Sequence, residues 1–194
     1  LCNGKYKKFY AKEIILTAGA LITPKILMHS GIGDKNQLKK FGIEVKENLI
    51  GVGKNLQDHH EVPFITRAKA GYGYFKQNKG LRMIRNGIQY LLFKSGPVTS
   101  NGVDCCSFLN PENLTDSNNP KIKLYCVQIM YTDRDTKNIK PDHGVTLTSC
   151  IMNPKSRGEV NINSSNPTDL PSINPNFLSN KDDINVFLES LKLA

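Results

Sequence analysis

The chain has 194 residues, of which 39% are hydrophobic, and carries a formal net charge of +9. This hydrophobic content is typical of a globular chain rather than a disordered one, and no run approaches the ~20 apolar residues of a membrane-spanning helix. The lysines are scattered, without interleaved aromatic residues or a nucleic-acid motif, so solvated lysines explain the charge better than a nucleic-acid partner. We expect one or two cores, no nucleic-acid partner and no membrane span.

The first predicted element is a buried parallel strand over residues 13–18, which read Glu-Ile-Ile-Leu-Thr-Ala. A strand that ends in Ala-Gly-Ala and turns into a helix is typical of the ligand-facing corner of α/β proteins. Small residues there let the backbone approach a ligand closely. The helix is predicted over residues 24–30, with Thr23 as N-cap and Pro24 at the first position. Residues 30–33, Ser-Gly-Ile-Gly, are expected to end it, with glycine as the left-handed cap.

Two short elements and a loop follow this corner. Residues 35–41 have apolar side chains at helical spacing and predict a second helix, which Gly42 ends. Residues 43–45 alternate apolar and polar side chains and predict a short strand with one buried face. Residues 51–59 read Gly-Val-Gly-Lys-Asn-Leu-Gln-Asp-His and predict a loop with side chains that form hydrogen bonds.

The remainder of the chain predicts mainly strands. Five strands are predicted over residues 62–67, 105–109, 121–130, 145–152 and 159–162. Residues 71–80 are rich in Gly, Tyr and Lys and predict a mobile loop, whereas residues 81–93 predict an amphipathic helix that packs against the protein. Residues 163–176 predict an extended loop because they hold three prolines. Asp182 and Asp183 are expected to cap a final helix.

Several motifs together carry a family resemblance. Residues 19–33 resemble the second signature of the glucose–methanol–choline (GMC) family of flavin-dependent oxidoreductases, with every constrained position filled. Residues 51–59 resemble the family's Val-Gly-x-Asn-Leu-Gln-Asp-His loop, and residues 95–102 resemble its Gly-Pro-Leu-Thr loop. Segments similar to its late substrate-domain strands are residues 153–158, 165–167 and 173–177. The motifs come in the family's order, and the chain is most similar to insect-type, glucose dehydrogenase-like members.

The resemblance implies a fold and a domain organisation. The fold class is α/β, or α+β overall: part of a Rossmann-like FAD-binding domain over residues 1–61, then an antiparallel-sheet substrate-binding domain over residues 62–180. A helix over residues 181–194 would lead back toward the FAD domain. The family's Gly-x-Gly-x-x-Gly motif does not occur here. We therefore expect an internal fragment with no catalytic residue of its own, the catalytic His being expected beyond Ala194.

The resemblance also implies an activity. It is the FAD-dependent oxidation of a CH–OH group of an alcohol, sugar or sterol, with hydride passing to the flavin and electrons then to a quinone or oxygen. The full-length protein would be the enzyme, and the fragment alone would be inactive. A non-catalytic binding protein of the same fold remains the alternative. The expected localisation is secreted or extracellular, where the sequons at Asn113 and Asn163 would matter.

Two segments supply the predicted cofactor-binding residues, which are Thr17, Ala18, Gly19, Asn55, Leu56 and Asp58. The first three stand at the end of the predicted strand, where α/β sheets bind ligands; the alternative is a tight corner without a ligand. The other three belong to the loop that lies close to the flavin in the family. Asp58 is expected to hold the loop's own backbone amides, and His59 to support loop structure rather than act as a base.

Other candidate residues carry weaker signals. The loop over residues 96–101 either borders a substrate channel or is a plain connector. Five cysteines occur without a Cys-x-x-Cys motif or metal-ligand spacing, so strand and core thiols are favoured over a zinc site. Cys105 and Cys106 are adjacent, so their side chains point to opposite faces if they lie on a strand. We expect no metal site.

Overall fold

The computed structural model of this chain describes residues 7–69, 71–112, 118–131 and 140–194. These residues form two compact units. Unit 1 comprises Leu1–Gln57 and Arg157–Asn176, and unit 2 comprises Asp58–Ser156 and Phe177–Ala194. Cys2 and the sequon at Asn113 lie outside the described residues.

Unit 1 contains two helices and five short strands among its described residues. They are α1 (Gly19–His29), β1 (Ile32–Gly33), α2 (Lys35–Lys40), β2 (Glu47–Asn48), β3 (Lys54–Leu56), β8 (Gly158–Asn161) and β9 (Ser172–Asn174). β1 and β2 pair in parallel, and β8 pairs antiparallel with both β3 and β9. The three-stranded sheet β3-β8-β9 therefore joins residues more than 100 positions apart. As a result, residues 157–176 belong to unit 1 rather than to the unit that holds the rest of the predicted 62–180 domain.

The core of unit 1 lies between α1, α2 and the end of β8. Met28, Leu38 and Ile162 are almost completely buried there. Partly buried side chains pack around them, namely Phe41, Ile43, Val45 and Val52. Since burying a Met, Leu or Ile side chain contributes about 1.5–3 kcal/mol, this cluster holds the two helices and the late strand together.

Two glycines are required by close contacts in unit 1. Gly31 has φ +87° and ends α1 as predicted, and a Cβ there would lie 2.4 Å from the Glu44 carbonyl oxygen. Gly53 has φ +77°, and a Cβ there would lie 2.1 Å from the Val160 carbonyl oxygen. Because such approaches exclude any side chain, glycine alone allows the segment before β3 to lie against β8.

The predicted strand over residues 13–18 is wrong. These residues form no strand, and Ile14 and Ile15 are 75% and 77% exposed. A parallel strand needs neighbours for its hydrogen bonds and cover for its faces. No strand in the described part of the chain pairs with this segment, so its apolar side chains face solvent.

The start of α1 also differs from the prediction. The helix begins at Gly19, five residues before the predicted start, so Pro24 lies inside it. Thr23 does not cap the helix, because Ala18 occupies the N-cap position without a capping side chain. Instead, Thr23 Oγ1 accepts a hydrogen bond from the Ala18 backbone N–H at 3.1 Å.

The second helix is confirmed, whereas the strand predicted after it is displaced. Asp34 caps α2 by accepting a hydrogen bond from the Asn36 backbone N–H at 2.7 Å. Residues 43–45 form no strand, and β2 follows at Glu47–Asn48. The backbone N–H groups of residues 46 and 47 donate hydrogen bonds to the Gly31 carbonyl. The strand pairing therefore starts at residue 47 and not at residue 43.

Unit 2 is built on a four-stranded antiparallel sheet. Its elements are β4 (Glu61–Arg67), α3 (Gly80–Phe93), a 3-10 turn (Pro97–Thr99), β5 (Cys105–Leu109), β6 (Ile122–Val127), β7 (Gly144–Ile151) and α4 (Lys181–Leu193). The strand order is β4-β7-β6-β5. The five predicted strands are thus confirmed with small shifts at their ends, the fifth as β8 of unit 1. The predicted loop over residues 163–176 is wrong where β9 forms.

The final helix packs on β7, one of the two interior strands of this sheet. α4 contacts β7, where residues 148–151 are all buried. The cap is Asn180, whose side chain accepts a hydrogen bond from the Asp182 backbone N–H at 2.9 Å. Asp182 and Asp183 therefore occupy the first turn and are not the caps that we predicted. The helix belongs to unit 2.

The helix predicted over residues 81–93 is confirmed as α3, but its packing is not. Its one buried side chain is Asn86, while an apolar stripe is 52–84% exposed. The stripe consists of Leu81, Ile84, Ile88, Leu91 and Leu92. Among the described residues, no helix is long and apolar enough to span a membrane.

Candidate functional site

The predicted corner in unit 1 is an open helix start. Thr17, Ala18 and Gly19 are exposed, Gly19 has φ +82°, and a Cβ there would meet no atom within 4 Å. α1 has no capping side chain and no acidic residue in its first turn. Since the first N–H groups of a helix have no partner within it, they remain available as donors at the positive end of the helix dipole.

A cavity next to this corner brings two predicted segments together. It has a volume of about 290 Å³ and is lined by Ala20 and Pro24 of α1, residues 53–57 and Val160. α1, which we call the signature helix because it lies in the GMC signature segment, and the loop over residues 53–57 therefore share one concave surface. Of the six predicted cofactor-binding residues, Asn55 and Leu56 line this cavity, whereas Thr17, Ala18, Gly19 and Asp58 do not.

Local backbone chemistry shapes the loop side of the cavity. Asn55 has φ +63°, a conformation that Asn tolerates better than most residues. Lys54 forms a hydrogen-bonded ion pair with Glu159 of β8, and this bond lowers the pKa of the Glu159 carboxyl. Lys54 and Leu56, on either side of Asn55, pair with Glu159 and Gly158 of β8 and tie the loop to that strand.

Asp58 and His59 begin unit 2 and have structural contacts. Asp58 Oδ1 accepts a hydrogen bond from the His59 backbone N–H at 2.8 Å. His59 Nε2 lies 2.9 Å from the Met152 carbonyl oxygen and donates to it in the tautomer that carries the proton on Nε2. Both contacts agree with the loop-structure roles that we expected for these residues.

His60 has an environment that the sequence analysis missed. Both of its ring nitrogens are buried without a hydrogen-bond partner. The ring centroid lies 5.0 Å from that of Phe177 and 5.4 Å from that of Phe187. Burial lowers the pKa of His60, against an opposing effect of Asp183. Burial therefore favours the neutral form of His60, and the two rings that enclose it come from residues more than 100 positions later in the chain.

A buried carboxylate lies beside His60. Asp183 is 3% exposed, and its carboxylate accepts hydrogen bonds from the backbone N–H groups of Lys155 and Ser156, each at 2.7 Å. The Ser156 hydroxyl donates a third at 2.5 Å. Burial raises the pKa of Asp183, but these hydrogen bonds outweigh it and leave the pKa below its ordinary value. The network fixes α4 to residues 155–156.

Unit 2 contains a larger, mostly apolar cavity of about 550 Å³. Its lining includes Phe75, Met83, Pro97, Val98, Ile129 and Met130. The loop over residues 96–101 therefore contributes Pro97 and Val98, whereas its polar side chains bond within the turn. Thr99 Oγ1 donates to the Gly96 carbonyl at 2.8 Å, and Asn101 Oδ1 accepts from the Val103 N–H at 3.0 Å.

The segment before α3 closes one side of this larger cavity. Gly73 has φ +77°, and a Cβ there would lie 2.5 Å from the Gln128 carbonyl oxygen. The Tyr74 N–H donates to the same carbonyl at 2.7 Å, and the Tyr74 hydroxyl donates to Asp104 at 2.8 Å. These contacts dock Gly73 and Tyr74 against Gln128, which directly follows β6, while the mobility of residues 71–80 stays a prediction. Across the described ranges, no cluster of three or more His, Cys, Asp or Glu residues could hold a metal ion.

Comparison with known proteins connects these features to a family. Two family models, both described as GMC oxidoreductase, match residues 2–61 and 154–194. The chain is 33% identical over 186 residues to an alcohol dehydrogenase [acceptor] of Pseudomonas putida, covering 94% of this chain and 33% of that protein. It is 33% identical over 192 residues to an oxygen-dependent choline dehydrogenase of Staphylococcus aureus, covering 99% of this chain and 33% of that protein. The chain thus spans about a third of these relatives.

Solved structures give the same result for the fold. A crystal structure of formate oxidase matches with a TM-score of 0.77 and 28% identity, over 95% of this chain and 36% of that one. A study of FAD modification in Aspergillus oryzae formate oxidase supplies a second match, with a TM-score of 0.77, 29% identity and the same coverage. The predicted α/β fold class is confirmed, since the solved neighbours are flavoenzymes with a Rossmann-like FAD-binding fold. With matching models at both ends and oxidoreductases as relatives, the chain belongs to the GMC oxidoreductase family.

Proposed function

We propose that this chain is part of an FAD-dependent oxidoreductase that oxidises a CH–OH group of an alcohol, sugar or sterol. The observation that carries the proposal is the joint surface of the signature helix and the loop over residues 53–57, in a chain of the GMC family. The alcohol and choline dehydrogenases among its relatives support the substrate class. Unit 1 would belong to the FAD-binding part and unit 2 to the substrate-binding part.

The residues at the corner suit FAD because they offer free hydrogen-bond donors and open space for the cofactor. The uncapped N–H groups at the start of α1 can donate to acceptor oxygens or nitrogens, and the open side of Gly19 leaves room for a large planar group. The Asn55 amide can supply both a donor and an acceptor. Thr17, Ala18, Gly19, Asn55 and Leu56 would hold the cofactor, with Asp58 supporting the loop. When bound, FAD would supply the acceptor for the hydride.

The chain's own contribution is binding and positioning. None of the described residues is assigned the proton-abstracting role, because His59 is engaged with a backbone carbonyl and His60 is enclosed by aromatic rings. The catalytic His is proposed to lie beyond Ala194 in a longer protein, and residues 1–194 alone are proposed to be inactive. The motifs favour an insect-type, glucose dehydrogenase-like enzyme. Secretion, and electron transfer from the flavin to a quinone or oxygen, are proposed together with it.

A matched pair of glycines tests the cofactor site in the full-length protein. Gly19 and Gly42 both have positive φ and open space around a Cβ, so Val at either position brings similar backbone strain. We expect Gly19→Val to lose flavin absorbance during gel filtration and Gly42→Val to retain it. Wild-type protein that neither purifies with flavin nor takes it up on reconstitution would overturn the proposal.

The larger cavity in unit 2 is proposed to receive the apolar part of the substrate. Its volume lies within the usual range of ligand pockets, and its lining is mostly apolar with a few polar groups. Met83 lines this cavity and is 54% exposed, whereas the neighbouring Ile84 is 56% exposed and does not line it. The two residues are therefore a matched pair on one helix.

Tryptophan substitutions at this pair test the substrate assignment. Met83→Trp should fill the cavity and lower kcat/KM for benzyl alcohol about tenfold or more relative to ethanol, since lost apolar contacts are worth about 1–3 kcal/mol. Ile84→Trp should leave this ratio within about twofold. An unchanged ratio in Met83→Trp would place the substrate elsewhere while leaving the flavin assignment intact.

A further inference from the structure

Cys105 and Cys126 stand opposite each other on two neighbouring strands. They are register partners in the antiparallel pair of β5 and β6. Opposed residues of such a pair have Cα atoms about 4.5–5.5 Å apart and side chains on the same face of the sheet. A disulfide requires a Cα separation of about 4.4–6.8 Å. The sheet therefore already holds the two backbones at a distance that a disulfide can bridge.

The surroundings of this pair favour reaction between the two thiols. Both are free thiols, Cys105 is exposed and Cys126 is half-buried. β5 is one of the two edge strands of the sheet and Cys105 is exposed on it, so small oxidants can reach this thiol from solvent. Cys106 points to the opposite face and pairs with Tyr125, and the buried Cys150 pairs with Lys123. Of the cysteines in the described ranges, only 105 and 126 are directly opposed.

We propose that Cys105 and Cys126 form a peroxide-sensitive oxidation site that closes as a cross-strand disulfide. The thiolate of Cys105 attacks one oxygen of hydrogen peroxide, which breaks the O–O bond, leaves a sulfenic acid and releases the first water after proton uptake. The thiolate of Cys126 then attacks the Cys105 sulfur, forms the S–S bond and releases the second water. The two thiols lose two electrons and two protons in total, and one peroxide becomes two waters.

The order of the two steps follows from the environments of the thiols. Burial raises the pKa of Cys126, and the neighbouring Cys105 and Asp104 raise it further. Because the thiolate is the reactive form, Cys126 is the poorer first nucleophile. Cys105, which is exposed, reacts with peroxide first, and Cys126 resolves the sulfenic acid from across the strand pair.

Closure would tie the edge strand covalently to the interior of the sheet. The cross-link would span residues 105–126 and would remove chain entropy from the unfolded state. The oxidised protein should therefore unfold at a higher temperature than the reduced protein. Local unfolding of β5 should also become rarer, because the disulfide would keep β5 attached to β6.

The experiment uses the full-length protein, reduced and then exposed to a small excess of hydrogen peroxide or to diamide, which oxidises thiols. Intact mass, thiol titration and a peptide map are compared for wild type, Cys126→Ser and Cys106→Ser. Wild type and Cys106→Ser should each lose two titratable thiols and about 2 Da, with a cross-linked peptide that joins positions 105 and 126. Cys126→Ser should not form this peptide with either oxidant, and after treatment with hydrogen peroxide its Cys105 should be trapped by dimedone as the sulfenic acid.

The matched cysteines make the outcome decisive. Cys105 and Cys106 are adjacent and both exposed, and only the face of the strand distinguishes them. The proposal is overturned if hydrogen peroxide does not produce the 105–126 peptide in wild type, even where diamide does. It is equally overturned if Cys106→Ser blocks the cross-link, or if the disulfide joins two protein molecules instead. A folded state unchanged by circular dichroism in each variant confirms that the serine replacements report on the thiols.

Discussion

The two long helices of unit 2 have similar lengths and amphipathic patterns, yet they relate to the rest of their unit in opposite ways. α4 begins at a capping Asn180 and buries Asp183, Phe187 and Ser190. α3 has no capping side chain, buries only Asn86, and turns its apolar stripe toward solvent. The periodicity of apolar residues predicts a helix and its faces, but not which face the surrounding chain covers. Caps and buried polar anchors distinguish α4 from α3.

The largest expected difference between the helices concerns their apolar side chains. Phe187→Ala should lower the free energy of unfolding by about 3–5 kcal/mol, because the side chain is 8% exposed and leaves a cavity. Ile88→Ala should change it by less than about 0.5 kcal/mol, because Ile88 is 52% exposed. Urea denaturation measures both. A comparable loss in Ile88→Ala would mean that another surface covers the stripe in the protein.

The polar anchor of α4 gives the next largest effect. Asp183→Ala should lower the free energy of unfolding by about 3 kcal/mol, because it leaves the buried N–H groups of Lys155 and Ser156 without their acceptor. Asp182→Ala is the matched control, since its ion pair with Lys155 at 2.6 Å is exposed on both sides. The control should unfold at nearly the wild-type urea concentration. Equal midpoints for the two variants would contradict the anchoring role.

Glycine replacements in α3 should produce smaller and opposite effects. Gly87→Ala should stabilise the protein by about 0.5–1 kcal/mol, because Gly87 lies inside the helix and a Cβ there meets no atom within 4 Å. Gly80→Ala should destabilise it, because Gly80 has φ +55° at the helix start. Thermal unfolding of the two variants checks the signs. A destabilised Gly87→Ala protein would indicate a neighbour packed against that face.

The smallest effect at neutral pH concerns His60, which packs against Phe187. Burial lowers the pKa of His60 in the folded state below its unfolded value of about 6.5. The folded protein therefore binds this proton less readily than the unfolded chain, and stability present above pH ~6.5 is lost as the pH falls below it. Unfolding curves between pH 7 and pH 5 should have a shallower pH dependence in His60→Phe than in wild type.

Some of that pH dependence should remain in the variant. Burial also lowers the pKa of His29, which contributes with the same sign. Asp183 contributes to the pH dependence only at lower pH, because its pKa lies below the ordinary carboxyl value. Its stabilising effect is lost as the pH falls from that ordinary value toward the lower pKa of the folded state. An identical slope in wild type and His60→Phe would show that the ring does not resist protonation in its aromatic surroundings.

Several elements could be predicted because their signals are local. The end of α1 at Gly31, the second helix and the strands of unit 2 follow from glycine positions and from apolar spacing over a few residues. The predicted strand over residues 13–18 failed because a parallel strand depends on neighbours that local pattern does not supply. The predicted caps at Asp182 and Asp183 were wrong for a related reason. Asn180 precedes them and caps the helix, and the Asp183 carboxylate accepts hydrogen bonds from a distant loop.

The sequence by itself determined the family and the order of its motifs, and it predicted the two segments that line the candidate cofactor site. Only the tertiary structure decided that residues 157–176 return to β3, that Gly53 lies against Val160, and that α3 exposes its apolar stripe. It also placed Cys105 opposite Cys126. The physical reason is range: motifs and turns depend on a few consecutive residues, whereas packing depends on which distant segments come to share a surface.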